Sequence, residues 1–178
     1  ILIFSNWILS TIYSHPHSSL KKHPVLPELA HLFFAGLPFL SGWIIFRPLT
    51  LESALLAIFF GATLASGELI NQITDFEKEI KVGLRSTAIV FGKRPVYRLA
   101  LWIFYLSSIY ILALSISGII SGWIKWSALF LILAWTSWLL ISRKTNRLKN
   151  ISKFPRTIRT IYAFFSIVLL VFLILNKI

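Results

Sequence analysis

The 178-residue chain has no cysteine, no methionine and only six acidic residues against eighteen lysines and arginines. Without cysteine there is no disulfide and no thiolate metal or redox site, although the compartment stays open. Without methionine, and beginning ILIFSNWILS inside an apolar run, the sequence is expected to be the later part of a longer protein, truncated at its N-terminus. The opening also lacks the basic n-region and small-residue cleavage site of a signal peptide, so it is expected to be the tail of an earlier membrane helix. The short alternating segments of a transmembrane β-barrel are missing, as are repeats and any attached soluble domain.

What is present is apolar surface. At 57% hydrophobic and 13% charged residues, the chain is too apolar for an ordinary soluble domain of its length. Several runs reach the roughly 20 residues that a helix needs to cross about 30 Å of hydrocarbon. Only helices and closed barrels satisfy their backbone hydrogen bonds in lipid. The expected fold class is therefore all-α, a polytopic transmembrane bundle with about five full spans plus the end of an earlier one, forming a single transmembrane domain over 1–178. Residues 1–13 finish that earlier segment, and a proline-broken loop follows. Spans are then expected at 28–46, 51 to about 70, 96–117, about 123–141 and about 158–175. The first two of these make a hairpin across Arg47, Pro48 and Thr50.

The basic residues set the expected orientation. Of the eighteen, fifteen fall in three loops: two in 14–26, six in 71–98 and seven in 142–159. Short loops rich in Lys and Arg stay cytoplasmic, so these three are expected on that face of an integral, multi-pass membrane protein. A +12 charge distributed in this way is a topology signal, and no nucleic-acid partner is expected.

Against this basic background, the stretch NQITDFEKEIKVG at 71–83 holds Asp75, Glu77 and Glu79. On a helix continuing from the span at 51–70, Glu68, Asn71, Asp75 and Glu79 are spaced three, four and four and line one face. Like charges at that spacing repel, and acids near a helix C-terminus oppose its dipole. A divalent cation reverses the sign, and hard oxygen donors suit Mg²⁺, which takes one or two carboxylates and bridges to phosphate oxygens. Solvated acids neutralised by Lys78, Lys81 and Arg85 fit the same spacing equally well. On the same side lies YSHPHSSLKKHP, where Tyr13 at a helix end leads into the paired Lys21 and Lys22. An ammonium there suits a phosphate as a point charge, and membrane anchoring accounts for it too. His15, His17 and His23 lie in the loop without the spacing of a zinc site.

Taken in order, YSHPHSSLKKHP, a span, a hairpin and NQITDFEKEIKVGLRSTAIVFG resemble the UbiA superfamily of intramembrane prenyltransferases. The second Asp-rich motif of that family, D-x-E-x-D preceded by Asn and followed by G-x-K/R-S/T and a closing Gly, reads here as Asn71, Asp75, Glu77, Glu79, Gly83, Arg85, Ser86, Thr87 and Gly92. Glu79 stands where Asp is usual, and the first motif, N-D-x-x-D, is absent. By the resemblance, residue 1 falls inside the fourth of nine helices, with the first motif upstream.

The resemblance implies Mg²⁺-dependent transfer of an isoprenyl group from an isoprenyl diphosphate to a small-molecule acceptor, taken here as aromatic, beside membrane lipid. It implies catalytic roles for Asp75, Glu79 and Lys21, and metal binding by Asp75, Glu77 and Glu79. Diphosphate falls to Lys21, Lys22, Arg85 and Asn71, and Tyr13 lines the substrate pocket. Phe33, Phe34, Phe59 and Phe60 are aromatics beside which the isoprenoid tail would lie. An ion-coupled transporter is the rival from another class, but it calls for acids buried mid-span, whereas these lie beyond the apolar run. A membrane protein without chemistry leaves the acidic stripe unexplained. The D-G-x-x-A-R pattern of the CDP-alcohol phosphotransferases is missing.

Overall fold

The structure is a computed structural model that describes residues 1–15, 20–120 and 124–144, together with residues 160, 163, 164, 167, 170 and 171. Every element among them is helical: α1 Leu2–Ser14, a 3-10 turn Leu20–Lys22, α2 Leu26–Phe46, α3 Leu51–Lys81, α4 Thr87–Phe91, α5 Lys93–Ile116 and α6 Ile124–Lys144. Among the described residues, α2, α3 and α5 are long and apolar enough to cross a membrane, and α6 carries a shorter apolar stretch, Ile124–Ser137. That is fewer spans than the five expected. The expected span at 158–175 and most of the basic loop at 142–159 lie outside the described residues.

The hairpin forms as the sequence implies. Arg47 leaves α2 in extended backbone, and Thr50 opens α3 with a reciprocal cap in which its hydroxyl accepts from the Ser53 amide while the Ser53 hydroxyl accepts from the Thr50 amide. Lipid tails are as apolar as leucine, so helices in a membrane associate through close packing and interhelical hydrogen bonds. Both are found here. Gly61 of α3 lies so close to Leu32 of α2 that a Cβ there would run into the Leu32 carbonyl, and Gly36 faces the Ala57 carbonyl. Between α3 and α5, the buried Ser66 donates to the Ala100 carbonyl at 2.7 Å and Tyr110 donates to the Leu55 carbonyl at 3.2 Å. Leu56, Phe59, Leu69, Ile70, Phe104 and Ile111 fill the core, and Phe104 stacks on Trp135 of α6 at 4.7 Å. Ile44, Ile45, Ile58, Trp102 and Leu106 project outward, as lipid-facing side chains do.

Helix α3 continues past the apolar span at 51–70 through the acidic stretch to Lys81, as the one-face spacing of Glu68, Asn71, Asp75 and Glu79 requires, and takes the first part of the expected loop at 71–98. Its last turns contain Phe76, Glu77, Lys78, Glu79 and Ile80, residues that propagate a helix readily, with Lys78 and Lys81 at the dipole's negative end. It stops at Gly83, which takes a φ of 70°. There the Gly83 amide bonds the Ile80 carbonyl and the Leu84 amide bonds the Glu79 carbonyl, both at 3.0 Å, a Schellman closure. Much of the polar stretch at 71–98 is thus helix: the end of α3, the five-residue α4, and the start of α5.

Candidate functional site

Continuity of α3 places Glu68, Asn71, Asp75 and Glu79 on one stripe, with Glu77 turned about 200° away from Asp75 at the 3.6-residue helical repeat. Each acid has its own partner. Asp75, half exposed, accepts from Lys78 at 2.7 Å. Glu77 pairs at 2.8 Å with Lys93, whose ammonium also lies 4.3 Å from the centre of the Phe76 ring. Glu79 is buried and accepts a hydrogen bond from the Ser86 hydroxyl. The structure therefore does not bring the three acids together, because Glu77 faces α5 while Asp75 and Glu79 share the stripe. Solvated neutralisation is realised only in part, since Lys78 pairs with Asp75 but Lys93 holds Glu77.

Opposite the stripe, the end of α1 meets the first turns of α2. Tyr13, His31 and Phe34 form an edge-to-face aromatic trio with centroids 5.2 to 5.4 Å apart. His31 Nδ1 lies 2.7 Å from the Pro27 carbonyl, which only accepts, so Nδ1 carries a proton. Nε2 then lies 3.6 Å from Glu68, which also accepts from Asn71 at 3.4 Å. Deeper in, Glu28 accepts from the Gln72 side chain at 2.9 Å, and Gln72 in turn accepts from the Ala88 amide at 3.3 Å.

The remaining expected residues fall around this seam. Lys22 belongs to the Leu20–Lys22 turn and is exposed; the Lys21 side chain lies outside the described residues. Arg85 is exposed in the loop between α3 and α4. Of the four phenylalanines, Phe34 joins the trio, Phe33 points outward, Phe59 is core and Phe60 stacks on Phe39 at 4.7 Å. His31, Glu28 and Gln72 carry the seam without having been singled out by sequence. The one local signal was that Glu28 and His31 are polar residues within an otherwise apolar helical run, whereas Gln72 lies just past one.

Mg²⁺ can be tested against these donors. Among the described residues, no three His, Cys, Asp or Glu side chains group to hold a metal. Asp75 and Glu79 are hard oxygen donors four residues apart on one helix face, and this fits a half-site of the kind Mg²⁺ completes with water and phosphate oxygens.

The fold and this seam define an integral membrane protein in which buried polar side chains of α2 and α3 meet α4 near the end of α3 that carries Asp75 and Glu79. The chain belongs to the UbiA prenyltransferase family, whose sequence model matches residues 1–168. No curated relative and no solved structure matches it. Family membership brings prenyl transfer as the general activity.

Proposed function

We propose that this chain supplies the second acidic half-site and the basic loops of a Mg²⁺-dependent enzyme that transfers an isoprenyl group from its diphosphate to an aromatic acceptor at the cytoplasmic membrane face. One observation carries this: the Val25 amide donates to the Thr87 hydroxyl at 2.8 Å across 62 residues, bringing the segment after Leu20–Lys22 against the segment after Arg85, at the end of α3 that bears Asp75 and Glu79.

Asp75 and Glu79 are the residues that would hold the metal, and a bound Mg²⁺ supplies neutralisation of diphosphate charge. Lys21, Lys22 and Arg85 take the remaining diphosphate oxygens, the arginine with two parallel N–H groups, and Asn71 is oriented by Glu68 toward the same stripe. The allylic C–O bond breaks with its electron pair leaving on diphosphate, the acceptor ring attacks the resulting carbocation, and the ring loses a proton. Tyr13 lines the pocket wall beside His31 and Phe34, and the apolar bundle excludes the water that would quench the cation.

The intact protein in membranes, given an isoprenyl diphosphate and a panel of hydroxylated aromatic acids, is expected to form prenylated product with Mg²⁺, to lose it in EDTA and to regain it when Mg²⁺ is restored. Undiminished product in EDTA would remove the metal from the scheme. Sidedness is checked separately in the intact protein with any cysteine outside this cysteine-free chain replaced. Single cysteines at positions 19 and 150 should react with an impermeant thiol reagent from the same side, and labelling from opposite sides overturns the cytoplasmic assignment.

A further inference from the structure

Among the described residues, Val25 is the non-glycine residue with positive φ, 69°. A β-branched side chain avoids that region, and such a conformation persists only where its surroundings over-determine it. Val25 follows the Leu20–Lys22 turn by three residues and directly precedes α2. Its amide donates to the hydroxyl of Thr87, a buried residue and the first of α4. A second tie runs beside the first. Glu28, in the opening turn of α2, accepts from Gln72, and Gln72 accepts from the Ala88 amide. The start of α2 is therefore stitched to α4 twice, once directly and once through α3. The second tie explains why Glu28 is buried; the first holds a strained residue at the root of the basic turn.

We infer that Thr87 is a positioning residue: its hydroxyl keeps Val25 in the left-handed conformation and thereby fixes where the Leu20–Lys22 turn stands relative to the acidic end of α3. The consequence for catalysis rests on the diphosphate site proposed above, and Thr87 itself touches no substrate. If the hydroxyl is removed, Val25 relaxes toward ordinary φ and swings the turn. If the strain is removed as well, by glycine at position 25, the drive to swing disappears.

The test uses the intact reconstituted protein with spin labels on cysteines introduced at His23 and Val90, both exposed, and reads the distance between the two segments. Thr87→Val should displace and broaden that distance, Thr87→Ser should keep the parental one, and Val25→Gly combined with Thr87→Val should recover the parental mean with a broader spread. In parallel, Thr87→Val should raise the KM for isoprenyl diphosphate about tenfold, the equivalent of one lost hydrogen bond, with kcat within about threefold, and Thr87→Ser should restore it. A parental distance in Thr87→Val overturns the clasp, and a displaced distance with unchanged KM overturns the positioning role. Should Thr87→Val fail to fold, the strain-free double variant decides, since a distribution as narrow as the parent's overturns the clasp. A parent protein that transfers no prenyl group to any acceptor overturns the proposed function instead, and the distances still decide the clasp.

Discussion

Replacing Asp75 with Asn is expected to abolish prenyl transfer, by about a hundredfold or more, while leaving the bundle folded. The two halves of that expectation have different physical sources. Asp75 lies at the open end of α3, half exposed, and its ion pair with Lys78 is formed at the surface. Exposed pairs of this kind typically contribute about 0.2 to 1 kcal/mol, so the substitution costs little stability. The amide, however, carries no charge and is a poor ligand for a hard cation. Losing one charge-assisted contact costs about 1.5 to 3 kcal/mol, and removing a group aimed at developing charge in a water-poor site costs about 10²- to 10³-fold in rate. Retention of activity within about threefold of the parent would remove Asp75 from the metal site. Glu79→Gln should lower activity as well, and unlike Asp75→Asn it should lower the melting temperature, because Glu79 is buried and bonded to Ser86.

The second large effect is structural. Gly61→Ala should destabilise the protein by about 3 kcal/mol or more, toward the top of the usual range for overpacking. The added Cβ meets the carbonyl oxygen, carbonyl carbon and Cα of Leu32, all backbone, so no side-chain rotation relieves the clash and α2 must move off α3. Two other glycines isolate the cause. At Gly36 the nearest atom to a Cβ is 3.4 Å away, an ordinary contact, and at Gly67 there is nothing within 4 Å. Gly36→Ala should be nearly neutral, and Gly67→Ala should stabilise α3 by roughly 0.5 to 1 kcal/mol through helix propensity. Thermal melting in detergent, followed through the chain's tryptophan fluorescence, measures all three; equal melting of the Gly61 and Gly67 variants would contradict the close approach.

The sequence carried the hairpin, the helical class and the stripe of Glu68, Asn71, Asp75 and Glu79, because each follows from a local period or a local break. The stripe presupposes a helix that runs past residue 70, but nothing in the pattern marked its end at Lys81. The apolar run ends near residue 70, and the polar residues beyond it look the same whether they form helix or loop. The helical repeat sets Glu77 off that stripe, but its partner, Lys93, is 16 residues away on α5 and was not legible. The polar seam was least legible of all. Glu28 meets Gln72 across 44 residues and Val25 meets Thr87 across 62, and in sequence each is an isolated polar or apolar residue with no periodicity of its own. Contacts set by how helices cross leave no trace in the pattern of any one helix.

Helix α3 also acts as a depth gauge. Its 31 residues rise about 46 Å at 1.5 Å each, against roughly 30 Å of hydrocarbon, so its final turns stand clear of the lipid even at a tilt of about 20°. The height of Asp75 above the membrane is then set by counting residues from the capped start at Thr50. Removing one residue from the middle of α3 would lower the carboxylates by about 1.5 Å and also rotate them by about 100° about the helix axis. Removing seven would keep the facing nearly intact while drawing the same groups about 10 Å toward the lipid, where charge is expensive. Height on this helix therefore changes without turning the carboxylates only in steps of about seven residues, two helical turns at a time.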